Sequence, residues 1–248
     1  MRKKIHLNPL RTYRELYAPD KNELGYQVVV EESDLWIVSQ VDLKNETLDQ
    51  VIKLRAQIKA YIDLHPEFLT SLKPVSVPKS APSIIQKMAH AGKLFDVGPM
   101  AAVAGAIAHE VAQKFHPLSP NLLVENGGDV YMYSTKDRKI GLLAHPEDNL
   151  YLGLLIPKQD FPCALCSSSA TIGHSLSLGQ GDLVVVKARD GAIADAAATA
   201  LNNKLQNRGS LSRVLKTAKE WRGKGVSGVF AQLDEHVGIW GDMEIITL

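Results

Sequence analysis

Apolar and polar positions along this chain change period from segment to segment, and those changes predict the elements. Gly25-Tyr-Gln-Val-Val-Val-Glu31 and Asp34-Leu-Trp-Ile-Val-Ser-Gln-Val41 are rich in β-branched and aromatic residues. Glu32-Ser33 lies between them, which predicts a hairpin. Leu48, Val51, Ile52, Leu54, Ile58, Tyr61, Ile62 and Leu64 then recur at helical spacing, so a long helix is expected over 47–65, stopped by Pro66. Pro74, Pro78 and Pro82 mark a connection across 73–82. A short helix over 83–91 follows, then a small-residue helix over 99–115 with Pro99 at its first position. Strands are expected at 121–125, 129–134, 139–143, 150–156 and 163–168, and Asn126-Gly127-Gly128 joins the first two. Leu183-Val-Val-Val-Lys-Ala188 reads as a buried strand, with helices over 192–204 and 211–221 and a return to strands at 228–233, 236–240 and 244–248.

Strand runs separated by helices, with several hairpins, predict an α+β fold over a doubly wound sheet. The helices at 99–115 and 192–204 are both alanine-rich and each enters after a strand or turn. That similarity suggests two related halves without a repeat in sequence. A single domain over 1–248 is expected, its halves meeting near 115–125.

Composition adds mainly exclusions. The chain has 248 residues, 45% apolar and 22% charged, enough to bury a sizeable core. A formal charge of +1 gives no field to draw it to nucleic acid or anionic lipid. No apolar run approaches the roughly 20 residues of a membrane helix, and no secretory segment follows Lys4. The expectation is a cytoplasmic protein that binds neither membrane nor nucleic acid.

Four clusters carry candidate chemistry. In Cys163-x-x-Cys166, strand geometry separates the Cα atoms by about 10 Å, too far for a disulfide, and sets the thiols on opposite faces. Both could be small buried hydrophobes, yet Cys166 touches the hydroxyl run Ser167-Ser168-Ser169-Ala170-Thr171-Ile172-Gly173-His174-Ser175. Short hydroxyl side chains with Gly173 let a loop aim N–H and O–H groups at an anion, unless the run is only solvated loop. His174 is either an acid–base group or an ordinary loop histidine. Glu125-Asn126-Gly127-Gly128-Asp129 is a hairpin turn whose glycines would also admit a ligand against the backbone. Asp195-Ala-Ala-Ala-Thr199 sets a carboxylate and a hydroxyl one helical turn apart, oxygen donors of the kind Mg²⁺ prefers; otherwise Asp195 merely favours its own helix N-terminus. His109-Glu110 lacks the second histidine of a zinc-protease motif, because Gln113 stands there. His109 and His116 share a helix face with little to support a metal.

In order, Asp96-Val-Gly98, Glu125-Asn-Gly-Gly-Asp129, the Ser/Thr run and Ala194-Asp195-Ala-Ala-Ala-Thr199-Ala-Leu201 resemble the ApbE superfamily, whose characterised members are Mg²⁺-dependent FAD:protein FMN transferases. The chain is most similar to a shorter ApbE-like branch without an assigned activity, found mainly in anaerobes and linked to sulfur assimilation. The likeness rests on Cys166 to Ser175 and on Ala194 to Asn202. It implies two related α+β halves with a pocket between them. It also implies Mg²⁺ at Asp195 and Thr199 and a nucleotide such as FAD beside Gly127, Gly128 and Asp129. Where the transferases carry a second glycine and then a lysine after the Asp-Val-Gly stretch, this chain has Pro99 and Ala102.

Two functions follow. In one, the protein serves sulfur assimilation, forming homocysteine or cysteine. Cys166 is then the catalytic thiolate or persulfide carrier, His174 and the loop of Ser167, Ser168, Ser169, Thr171 and Gly173 lower its pKa, and the partner is a protein of sulfur metabolism. In the other, the protein binds a flavin nucleotide with Mg²⁺ and is either an FMN transferase acting on a protein threonine or a non-catalytic binder.

Overall fold

The computed structural model describes residues 14, 19–142, 152–169 and 181–247. Strands β1 (Leu24–Val30) and β2 (Ser33–Ser39) form the expected hairpin, and Glu31 at its tip has a positive φ of 52°. The helical stretch that follows comprises α1 (Lys44–Leu64), the single turn α2 (Glu67–Thr70), α3 (Ser83–Phe95) and α4 (Val103–Phe115). A second hairpin, β3 (Leu122–Asn126) and β4 (Asp129–Tyr133), completes this part. After β5 (Arg138–Leu142) and β6 (Leu152–Ile156) the order repeats. Strands β7 (Cys163–Ser168) and β8 (Leu183–Ala188) lead to α5 (Gly191–Lys204) and α6 (Leu211–Glu220), then to the hairpin β9 (Val226–Leu233) and β10 (His236–Gly241). The last strand is β11 (Glu244–Thr247).

Eight strands form one antiparallel sheet in the order β1-β2-β3-β4-β7-β8-β9-β10. A three-stranded sheet, β11-β6-β5, covers part of its other side. Each run of four strands in the large sheet is strand pair, helices, strand pair. The two runs meet where β4 pairs with β7, Val130 opposite Leu165 and Tyr131 opposite Ala164. The interval 115–125 covers the connection from α4 to β3.

Strand alternation divides the core. Residues such as Val124, Tyr131, Ala164, Cys166, Val184 and Val186 pack under the helices. Their neighbours Leu123, Val130, Met132, Cys163, Leu165 and Val185 pack with Ile140, Leu154 and Ile156 of the small sheet. The two cysteines therefore lie on opposite faces, both as free buried thiols, as strand spacing requires. Burying each large side chain contributes about 1.5–3 kcal/mol.

Several predicted positions differ. On α1 the buried stripe is Thr47, Gln50, Val51, Leu54, Ile58 and Tyr61, whereas Leu48, Ile52 and Leu64 are exposed. Pro99 opens a separate 3₁₀ turn, Pro99–Ala102, ahead of α4. Its missing N–H suits a first helical position, although the turn is the tighter kind. His109 and His116, about two turns apart on one helix face, stack on Tyr131 and Tyr133 of β4 with ring centroids 4.0 and 4.1 Å apart.

The alanine content of α4 and α5 has a direct cause. Their backbones touch at Gly105 and Gly191. A Cβ on Gly105 would stand 2.3 Å from the Gly191 carbonyl oxygen, and one on Gly191 would stand 2.2 Å from that of Gly105. Side chains larger than hydrogen cannot enter, and alanines around the crossing let the helices close. Among the described residues, no single helix is long and apolar enough to cross a membrane.

Gly105→Ala should therefore destabilise the fold by about 2 kcal/mol or more through overpacking. Urea denaturation checks this against Gly223→Ala, where a Cβ meets nothing within 4 Å. Equal midpoints for the two variants would refute the contact.

Candidate functional site

The junction of the two four-strand runs gathers the polar groups. Residues 129, 131 and 133 of β4 face the helices, as do 164, 166 and 168 of β7, so Asp129 and Cys166 enter the space below α4 and α5. Asp129 follows a tight turn. Gly127 and Gly128 have φ of 67° and 104°, the positive pair that a type I′ hairpin demands, and Asn126 opposes Asp129 across it. A Cβ on Gly128 would lie 2.7 Å from Ser167 Oγ, whereas one on Gly127 would meet nothing within 4 Å. The turn is closed on its Gly128 side and open at Gly127.

Asp195 reaches the same place from α5. Its Oδ2 accepts the Gly105 N–H at 3.0 Å, and the Ala104 N–H also supports it. Those amides belong to the first turn of α4, where backbone donors lack partners within the helix. Asp195 thus caps α4 rather than its own helix. Asp190 caps α5, its Oδ1 accepting the Ile193 N–H at 3.0 Å.

Asp129 and Asp195 hydrogen-bond to each other, and both are buried, 5% and 8% exposed. Burial raises the pKa of Asp129 far above the carboxylate range, and the charge of Asp195 raises it further. The Ser167 N–H, donating to Asp129 Oδ1 at 2.9 Å, opposes this only in part. Burial pushes Asp195 up to about 7, while the Gly105 and Ala104 amides and its bond to Asp129 hold it down. Ionising one acid disfavours ionising the other, so the two titrate as a unit.

Cys166 completes the cluster. Its thiol lies 3.5 Å from the Gly191 carbonyl oxygen and also hydrogen-bonds Asp129. Burial raises its pKa well above the usual thiol value, and the nearby Asp129 and Asp195 charges add to the shift. The shift is opposite to the expected lowering, because among the described residues the thiol sits in a buried setting beside acids.

The hydroxyl run is not an open loop at its start. Ser167 and Ser168 belong to β7, and Ser169 follows it, also buried. Ser167 donates its hydroxyl to the Gly128 carbonyl at 3.1 Å, and Ser168 Oγ accepts Asn202 Nδ2 at 3.4 Å. These hydroxyls thus brace the turn and α5. Thr171, Gly173 and His174 lie outside the described residues.

Along α5, Asp195, Thr199 and Asn202 fall at i, i+4 and i+7, so they share a face. Thr199 is half-buried one turn beyond Asp195. The donor set fits a hard cation: two adjacent carboxylates, costly to ionise together, with a hydroxyl beside them. Among the described residues, no three His, Cys, Asp or Glu side chains form a ready metal cage. Mg²⁺ characteristically takes only one or two carboxylates and completes its shell from water and phosphate. Two surface clefts, of about 290 and 420 Å³, are lined by other residues, the first by Glu23 and Lys136 and the second by Lys87 and His90.

Sequence reasoning named Asp129 and Asp195 separately and missed their contact. It also missed Gly105, Arg14 and the structural part played by Glu125. A glycine within an alanine-rich helix was the one available signal for Gly105; nothing local marks Arg14.

The family described as AbpE bacteria matches residues 15–222. The UPF0280 protein of Methanocaldococcus jannaschii is 38% identical over 224 residues, covering 87% of this chain and 89% of that protein. The UPF0280 protein of Archaeoglobus fulgidus is 38% identical over 197 residues, covering 78% and 81%. Among solved structures, the flavin transferase ApbE from Vibrio cholerae superposes with a TM-score of 0.59 at 10% identity, over 89% of this chain and 97% of that one. The ApbE protein from Thermotoga maritima gives a TM-score of 0.59 at 12% identity, over 90% and 96%.

The carboxylate pair makes stability depend on pH in an unusual direction. Folded pKa values above the unfolded carboxylate value mean that the folded state binds more protons between about pH 4 and 7. This pair's contribution therefore falls as pH rises through that window. Asp129→Asn imitates the protonated acid and should flatten the decline, by a few kcal/mol across the window. Urea unfolding of both proteins at pH 4.5, 6 and 8 measures the difference; parallel pH profiles would exclude a shared proton.

Proposed function

The chain belongs to the family described as AbpE bacteria, and on that premise we propose that it binds a flavin dinucleotide with Mg²⁺ at the Asp129–Asp195 cluster. The observation that carries this reading is the buried carboxylate pair at the N-terminus of α4, beside a glycine turn open at Gly127. Asp195 and Thr199 would hold the cation, and Asp129 would join them on losing its proton. The cation would supply charge neutralisation for the pyrophosphate. Gly127 lets a phosphate or ribose approach the backbone without a side chain intervening. The Ser167 contacts with Asp129 and Gly128 fix the turn that presents this surface. Ser168, through Asn202, sets the rotation of α5 and hence the aim of Asp195 and Thr199.

The reaction proposed for the loaded site is FMN transfer from FAD to a protein threonine. The threonine oxygen replaces AMP on the FMN phosphorus, and the hydroxyl proton passes to a carboxylate. The similar Vibrio cholerae protein is a flavin transferase by name, and the shared fold supports the analogy. Pro99 and Ala102 stand where the transferases carry glycine and lysine, so binding is the firmer half of the proposal and transfer the half that an assay decides. The sulfur-carrier alternative needs an accessible thiolate on Cys166, and that thiol is fully buried between two acids.

Titration with FAD, with and without Mg²⁺, while AMP is measured, tests the proposal. Mg²⁺-dependent binding is expected, weakened at least about a hundredfold in Asp195→Ala, which removes a charged cation ligand. AMP release with a threonine-bearing acceptor would establish transfer. Binding that is indifferent to Mg²⁺ and to Asp195→Ala would overturn the assignment. Persistence of activity in Cys166→Ser would separate it from sulfur chemistry.

A further inference from the structure

Glu125, the first residue of the Glu-Asn-Gly-Gly-Asp turn, is fully buried on β3. Its two carboxylate oxygens are used differently. Oε1 accepts the Gly128 N–H at 2.7 Å. Oε2 accepts Arg14, from Nε at 2.8 Å and with Nη2 also at 2.8 Å. The guanidinium is itself nine-tenths buried. It also donates to Asp34, from Nη1 to Oδ1 at 2.8 Å and from Nη2 to the backbone carbonyl at 2.7 Å. One arginine thus ties a residue far upstream to the β1–β2 hairpin and to the turn at the site.

We infer that Arg14 is a positioning residue for the site turn: by giving buried Glu125 its counter-charge and hydrogen-bond donors it holds that carboxylate in place to accept from Gly128, and so fixes Gly127 and Asp129. The physical need is plain. A buried carboxylate without a counter-charge is costly, and it escapes that cost by protonating or by drawing in water. Either change loosens the acceptor of the Gly128 N–H. The turn has no side chains of its own to hold it, since both central residues are glycines. Glu125 also lies close enough to Asp129 for its charge to be felt there, so Arg14 limits the negative potential around the acid pair. The planar fork of arginine suits the task, because it spans a carboxylate, a second carboxylate and a carbonyl at once. This role deepens the nucleotide-site reading and rests on it for its functional half.

The test uses the whole chain and two independent readouts. The first is hydrogen exchange at the Gly128 amide, followed by NMR without any ligand. The second is FAD affinity in the presence of Mg²⁺. Arg14→Met should speed Gly128 exchange about tenfold or more and weaken FAD binding by a similar factor. The double variant Arg14→Met with Glu125→Gln should recover both, because a neutral amide oxygen still accepts from Gly128 and no buried charge is left unpaired at position 125. If the double variant behaves like Arg14→Met, Arg14 only anchors its own segment and the inference fails. Unchanged Gly128 exchange in Arg14→Met also overturns it. Should Arg14→Met fail to fold, Arg14→Lys carries the test: exchange within about threefold of wild type is expected from the retained charge, and a larger rise counts against neutralisation. If the unaltered protein binds no FAD, the proposed function falls, while Gly128 exchange still decides the part played by Arg14.

Discussion

Two carboxylates forced together out of water set the terms for the rest of this structure. Asp129 and Asp195 cannot both be ionised in their buried pocket without a positive partner. A shared proton satisfies them in isolation, and a divalent cation would satisfy them better. Everything around the pair serves to keep them there. The first-turn amides of α4 point at Asp195, the Ser167 amide points at Asp129, and the close crossing of α4 and α5 at Gly105 and Gly191 fixes their separation. It is this buried pairing of acids that the proposed cation site is argued from.

The position of the pair follows from topology. One acid comes from β4, the last strand of the first four-strand run, and the other from α5, the first helix of the second. Neither run has both. Continuity of the sheet through the β4–β7 pairing therefore does more than bury apolar surface, because it brings together the halves of the cluster. Cys166, on the β7 side of the same seam, fills the floor. Its burial beside two acids suits a small polarisable packing residue with a weak S–H donor better than it suits a nucleophile.

Most of the secondary structure was legible in the sequence because its signals are local. The hydrophobic runs of β7 and β8 carry their own limits, and Asn126-Gly127-Gly128 announces its hairpin. The α1 stripe was read too widely, since Leu48 and Ile52 are apolar yet exposed, and periodicity does not tell which edge of an apolar face lacks a partner. The members of the acid cluster were named singly from the sequence, but not their relation. Asp195 and Thr199 were paired through helical spacing, whereas Asp129 and Asp195 are far apart in sequence and meet only through sheet order. The serines illustrate the limit from the other side: their composition suggested an anion loop, but strand register turned Ser167 and Ser168 into braces for the turn and for α5.

The distribution of charge explains why the site needs support from so far away. Asp34, Glu125, Asp129 and Asp195 are all acids near one seam, and the described basic side chain that meets two of them is Arg14. Placing that cation against Glu125 and Asp34, rather than against Asp129 or Asp195, leaves the inner pair short of positive charge. A lysine or arginine at the inner pair would relieve that shortage and would compete with the cation proposed there. The outer acids are neutralised by protein and, in the proposed reading, the inner acids are left to a cation, a division that separates the groups that shape the turn from the groups proposed to bind.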